Sequence, residues 1–259
     1  MITITGSFKI DNEGIYVFDD YLEAETDSTS YNIENSFIKD LKIMAFLEFI
    51  RLSHVLKIVK PKDLVLDVGC GYGHYGYSLY TNRYETQYVG VDINHKYLSQ
   101  TINRKWGNSK PTFILKDAIK GLPFNDDTFD VILLIQVVEH LGVANSEKLL
   151  LECVRILNPS GILILSTENN EFTTGGGLDF HPHEFTYDEL TDLVLRCGLK
   201  IKEEFGLMYA HNIKVLPESS LKKFLHSRHF KIFEGINHPK DSKYIIFDLE
   251  KNEPEIALF

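Results

Sequence analysis

Hydrophobic positions along the chain fall into two periods. From Ser36 to Ile58, Phe37, Leu41, Ile43, Met44, Phe46, Leu47, Phe49, Ile50, Leu52, Val55, Leu56 and Ile58 recur at helical spacing and stop before Pro61, which predicts a long, strongly apolar helix. Short apolar runs follow, each ending in polar or glycine-rich punctuation: Leu64 to Val68, Tyr88 to Asp92, Thr112 to Ala118, Val131 to Ile135 and Ile162 to Ser166. These read as buried strands. Between them, Tyr75 to Tyr80 and Ser146 to Leu157 read as helices, the second stopped by the turn Asn158-Pro159-Ser160-Gly161. Thr186 and Glu189 form a T-x-x-E capping box, predicting a helix to Cys197 with Gly198 as its C-cap. Lys200 to Phe205 and Lys243 to Asp248 are the sixth and seventh strand signals. Strands alternating with helices predict an α/β fold with a parallel sheet.

Three segments stand outside this alternation. Residues 1–35 hold short alternating pieces, Ile2 to Thr5 and Ile15 to Phe18, and an acidic stretch from Glu23 to Asn35. They read as an extension serving as a lid or an oligomer contact, with residues 36–259 as the main domain. The polar loop from Thr167 to Glu184, with Gly175-Gly176-Gly177, suits an active-site lid. An insert over about 206–240 carries a helix-like stretch, Leu216 to Phe233, with His226 and His229.

Composition narrows the chemistry. At 259 residues and 44% hydrophobic, the chain buries a full core, and its formal net charge of -10 disfavours a nucleic-acid substrate, which calls for a basic footprint. A small acceptor is favoured. Cys70, Cys153 and Cys197 are widely spaced and odd in number, reading as core thiols in a reducing compartment. No apolar run reaches the ~18 residues a membrane span needs, so a cytoplasmic protein is expected. Oligomeric state is left open, a homodimer being one arrangement.

The stretch that organises the chain is Asp67-Val68-Gly69-Cys70-Gly71-Tyr72-Gly73, where a buried strand ends on an acid and breaks into three alternating glycines. Such a turn lets backbone approach a ligand closely. The dinucleotide fingerprint G-x-G-x-x-G fails, because His74 stands at its last glycine. Nineteen residues beyond Gly73, Asp92 closes the second strand, where an acid accepts hydrogen bonds from ribose hydroxyls. The D-x-G-x-G-x-G turn, and the run Asp117-Ala118 through Leu122-Pro123-Phe124 to Phe129-Asp130-Val131-Ile132, resemble class I S-adenosylmethionine-dependent methyltransferases. The resemblance covers roughly Lys62 to Phe205. It implies a Rossmann-like three-layer sandwich, with a seven-stranded, mostly parallel sheet and an antiparallel last strand. It also implies S-adenosylmethionine as cofactor, held by Asp67, Gly69, Cys70, Gly71, Gly73, Asp92, Ile93, Asp117, Ala118 and Gln136, with Asp117 on the adenine amine.

The fourth strand runs into Gln136-Val137-Val138-Glu139-His140, and the lid contains His181-Pro182-His183-Glu184-Phe185. Histidine is a base near neutral pH, so His140, His181 and His183, with Glu139, are candidates for removing a proton from the acceptor. The same stretches resemble the metal-binding pattern of small-RNA 3′-terminal 2′-O-methyltransferases, which implies a divalent ion, Mg or Mn, on Glu139, His140 and His183. Here Gln136 replaces the first Glu of that pattern, removing one anionic ligand. The expected function is O-methylation of a small hydroxylated acceptor, a sugar or natural-product intermediate. N-methylation of a small amine and RNA ribose methylation follow it. The rivals from other classes are a methyltransferase-like partner module without catalysis and a dehydrogenase.

Overall fold

The computed structural model describes residues 2–18, 48, 50–82, 85–106, 111–171, 181–207, 239–242 and 244–252. A helix over residues 50–58 (α1) precedes the central alternation: β3 (Leu64–Val68), α2 (His74–Asn82), β4 (Gln87–Asp92), α3 (His95–Ile102), β5 (Thr112–Leu115), β6 (Phe129–Ile135), α4 (Val143–Ile156), β7 (Leu157–Glu168), α5 (Tyr187–Arg196), β8 (Leu199–Leu207) and β9 (Tyr244–Lys251). Two short strands, β1 (Phe8–Ile10) and β2 (Tyr16–Phe18), come before them.

The nine strands among the described residues share one sheet in the order β1-β2-β5-β4-β3-β6-β7-β9-β8. The expected seven-stranded Rossmann-like sheet is its centre and far edge, with β9 antiparallel to both β7 and β8. The count rises to nine because β1 and β2 form an antiparallel hairpin and β2 pairs in parallel with β5. The alternating piece Ile15 to Phe18 holds β2, and β1 (Phe8–Ile10) carries no such signal. Ile2 to Thr5 is not a strand; it makes an isolated bridge, Ile4 to Phe124.

Side-chain alternation sorts the core into two layers. Val65 of β3 joins Ile50, Val55, Tyr75, Leu79 and Leu98 on the α1–α3 face. Leu66 and Val68 join Leu149, Leu150, Ile156, Leu190 and Val194 on the α4–α5 face. The chain leaves β3 toward β4 and β5, then returns to place β6 on β3's other side. The carboxyl ends of β3 and β6 are therefore the switch point where open α/β sheets bind ligands.

Two boundaries depart from the sequence reading. The turn expected at 158–161 is an excursion within β7, between the pairs Phe129–Leu157 and Val131–Ile162. A Cβ at Gly161 would lie 2.9 Å from the Asp130 carbonyl, so glycine lets the strand return to register there. Helix α3 carried no periodic signal strong enough to predict, yet Asn94 caps it by accepting from the Tyr97 N–H. The capping box at Thr186 and Glu189 is present, and α5 starts where expected. The first half of the apolar helix, the glycine hinge of the lid and the insert with His226 and His229 lie outside the described residues. No helix among the described residues is long and apolar enough to cross a membrane.

Candidate active site

The glycine turn between β3 and α2 is packed at its ends and open in the middle. Gly69 and Gly73 have φ of +71° and +63°, and a Cβ there would lie 2.7 Å from Val137 Cγ2 and 2.5 Å from Thr101 Cγ2. At Gly71 a Cβ would meet nothing within 4 Å. Cys70 contributes backbone only, because its thiol is buried against Gly90, and burial pushes that thiol well above its ordinary pKa.

Asp92 ties the turn to the end of β4. One carboxylate oxygen accepts the Gly71 N–H at 2.7 Å and the other accepts the Asn94 N–H at 2.7 Å. The Ile93 N–H bonds the same carboxylate, which retains acceptor capacity at the strand end, where a ribose hydroxyl would meet it. Beside it Ile93 is 37% exposed, an apolar face at the strand's end. At the end of β5, Asp117 caps the short turn Ala118–Lys120 by accepting the Ile119 N–H, with the Lys120 ammonium 3.7 Å away. Asp67 points to the α1–α3 face, 2% exposed, and accepts the Tyr88 hydroxyl at 2.6 Å. Burial lifts its carboxyl to about 7, against the Tyr88 hydrogen bond.

A second polar group gathers at the ends of β6 and β7. Gln136 closes β6 with φ +56°, a left-handed conformation that costs a non-glycine residue about 1–2 kcal/mol. Strain of this kind collects at functional sites. The Gln136 N–H donates to the Ser166 carbonyl at 2.8 Å, locking the two strand ends together. Glu139 is 1% exposed and accepts the Thr167 hydroxyl at 3.0 Å; burial pushes its carboxyl up to about 7. His181 Nδ1 lies 2.9 Å from Glu184 Oε1 and 3.7 Å from Glu168 Oε2, and the His140 ring meets the His181 ring edge-on at 4.7 Å.

The expected metal set does not form. Ligand atoms of Glu139, His140 and His183 do not converge among the described residues; the convergent group at this edge is Glu168, His181 and Glu184. His183 turns away, its Nε2 3.5 Å from Glu189 Oε2 and its ring edge-on to Phe185. The two histidines flanking Pro182 turn to different partners, which a linear motif cannot reveal.

Residues 66–165 match the Methyltransferase domain family. A probable S-adenosylmethionine-dependent methyltransferase of Mycolicibacterium smegmatis is 29% identical over 157 residues, covering 59% of this chain and 58% of that protein's length. A phosphoethanolamine N-methyltransferase of Plasmodium falciparum is 32% identical over 197 residues, covering 69% of this chain and 73% of that protein. The chain belongs to the class I S-adenosylmethionine-dependent methyltransferases. In fold the chain is similar to the [4+2]-cyclase SpnF, at a TM-score of 0.59 and 18% identity over 78% of this chain and 80% of that one.

In this member of the family the open centre of the turn, the Asp92 oxygens and exposed Ile93 fit a nucleoside. Sequence reading missed Glu168 as a member of the edge cluster, since a strand-ending acid carries no periodic signal. It also missed Arg51 of α1, an arginine that is 3% exposed.

Proposed function

We propose that this chain transfers the methyl group of S-adenosylmethionine to a hydroxyl of a small acceptor, a sugar or natural-product intermediate. The bound cofactor supplies an electrophilic methyl on a sulfonium. Asp92 takes the ribose diol, Asp117 and Ile93 the adenine side, and the glycine turn the methionine side. This lays the reactive end toward β6 and β7.

The observation carrying the O-methyl reading is the Glu184–His181 pair. A hydroxyl attacks well only as its proton leaves, so an acceptor of that class needs a base at the methyl-facing edge. The buried Glu184 carboxylate bonds Nδ1 and orients the ring, and Nε2 is the atom assigned as base. Nε2 has no partner among the described residues. His181 Nε2 would take the acceptor's proton as its oxygen attacks the methyl that the cofactor would supply. His140 packs the ring in place, and Glu139, bonded to Thr167, holds the strand ends. His183 takes no part in this step.

A specific observation favours N-methylation as the second reading: the Plasmodium falciparum relative is named for it. Radiolabelled methyl transfer from S-adenosylmethionine to a panel of diols, phenols and small amines separates the two. Transfer to a hydroxyl is expected, with His181→Gln lowering kcat about 100-fold or more while the Kd for S-adenosylhomocysteine stays within twofold. Transfer to amines alone, unchanged in His181→Gln, would overturn the O-methyl reading.

A further inference from the structure

A cavity of about 280 Å³ lies at the amino-terminal end of the sheet. Leu64, Gln87 and Thr112, the first residues of β3, β4 and β5, line it, whereas the glycine turn and Asp92 stand at the other ends of these parallel strands, roughly 15 Å away. Tyr80, Tyr88 and Trp106 give it an aromatic wall. The Tyr88 and Trp106 rings lie 6.3 Å apart at 19°, and Tyr80 meets Trp106 at 6.1 Å. Among the described residues lining the cavity Glu85 carries the only charge, and its partner Lys62, 4.0 Å away, is 82% exposed. Next to Glu85 in the same wall, the Thr86 hydroxyl is buried without a hydrogen-bond partner among the described residues.

These features select a ligand. Aromatic walls receive a flat ring, and a carboxylate with no buried counter-ion receives a cation attached to it. The volume falls just below the ~300 Å³ at which sites for drug-sized ligands begin, so one ring fills it. An unpaired buried hydroxyl is costly, and an ammonium N–H donating to its oxygen removes that cost. Two wall residues also reach the glycine turn. The Tyr88 hydroxyl donates to Asp67 at 2.6 Å, two residues ahead of Gly69. Trp106 Nε1 donates to the Thr101 carbonyl at 2.9 Å, and Thr101 places its hydroxyl 3.4 Å from the Gly71 carbonyl and its Cγ2 2.5 Å from where a Gly73 Cβ would stand.

We infer that this cavity is an effector site for a small aromatic amine, its ring against Tyr80, Tyr88 and Trp106 and its ammonium on Glu85 and the Thr86 hydroxyl. Its occupancy changes cofactor affinity through the Tyr88–Asp67 and Trp106–Thr101 bonds. The coupling rests on the cofactor reading under Proposed function; the binding site does not.

Trp106 is the chain's single tryptophan, so its emission reports this cavity directly. 2-Phenylethylamine, with phenylacetate as the same ring of opposite charge, is titrated into the wild-type chain, Glu85→Gln and Thr86→Val. A saturable change in Trp106 emission is expected with the amine, at a Kd about 10-fold below that of phenylacetate, and the amine's Kd rises about 4-fold in Glu85→Gln and about 5-fold in Thr86→Val. No response to the amine, an equal response to phenylacetate, or an unchanged Kd in both variants would overturn the site. With the amine saturating, the Kd for S-adenosylhomocysteine is expected to change about threefold or more, and the amine's Kd by the same factor when S-adenosylhomocysteine is bound. Tyr88→Phe, which keeps the ring and cuts the bond to Asp67, should shrink that factor. Unchanged S-adenosylhomocysteine affinity with the amine bound would overturn the effector role. A wild-type chain that binds the amine but not S-adenosylhomocysteine would overturn the cofactor reading and the coupling with it, while the emission change still supports the site.

Discussion

Replacing Asp92 with alanine is expected to abolish measurable binding of S-adenosylhomocysteine. Both carboxylate oxygens are already fixed, one by the Gly71 N–H and one by the Asn94 N–H, so the group is presented to a diol without further ordering. Two charge-assisted hydrogen bonds at about 1.5–3 kcal/mol each correspond to a loss of roughly 150-fold to 20,000-fold in affinity. The substitution also strips the acceptor from the turn's central amide, which adds to the loss. Asp92→Asn, which keeps an oxygen for Gly71 but not the charge, should fall between the two. Titration calorimetry, with circular dichroism to confirm the fold, reads the effect. An Asp92→Ala chain binding within threefold of wild type would remove the ribose from this position.

Gly73→Ala is expected to destabilise the fold by about 2–5 kcal/mol, for two separable reasons. Its φ of +63° is a conformation that alanine occupies at a cost of about 1–2 kcal/mol. The new Cβ would also stand 2.5 Å from Thr101 Cγ2, on a residue that is fully buried and whose hydroxyl donates to the Tyr97 carbonyl at 2.8 Å. Overpacking of this kind costs about 1–3 kcal/mol. Thr101→Ser deletes the obstructing methyl and keeps the hydroxyl, so the double variant should recover the packing share and leave the backbone share. Urea denaturation of the four chains closes the cycle. A Gly73→Ala chain within 0.5 kcal/mol of wild type would show that the turn relaxes freely, contrary to the packed geometry described.

The central alternation was legible because its signals are local. Buried parallel strands are short continuous apolar runs, and the turn after β3 announces itself through three glycines, of which Gly69 and Gly73 are also pressed by Val137 and Thr101. Acids at strand ends, Asp92 and Asp117, are found by counting from that turn. What escaped is set by long-range placement. The β1–β2 hairpin becomes part of the sheet only through β5, far along the chain. Arg51 looks like the polar stripe of an amphipathic helix until Tyr244, nearly two hundred residues later, closes over it. The lid histidines read as one motif, yet His181 turns to Glu184 and Glu168 while His183 turns to Glu189. Spacing along an irregular segment does not tell which way a side chain points.

The most direct test is titration of S-adenosylhomocysteine into the wild-type chain, with NADH as a paired control and EDTA in a parallel series. Binding in the micromolar range, indifferent to EDTA, is expected, with no heat from NADH. A folded chain that gives no heat with S-adenosylhomocysteine, or that binds NADH in its place, would contradict it.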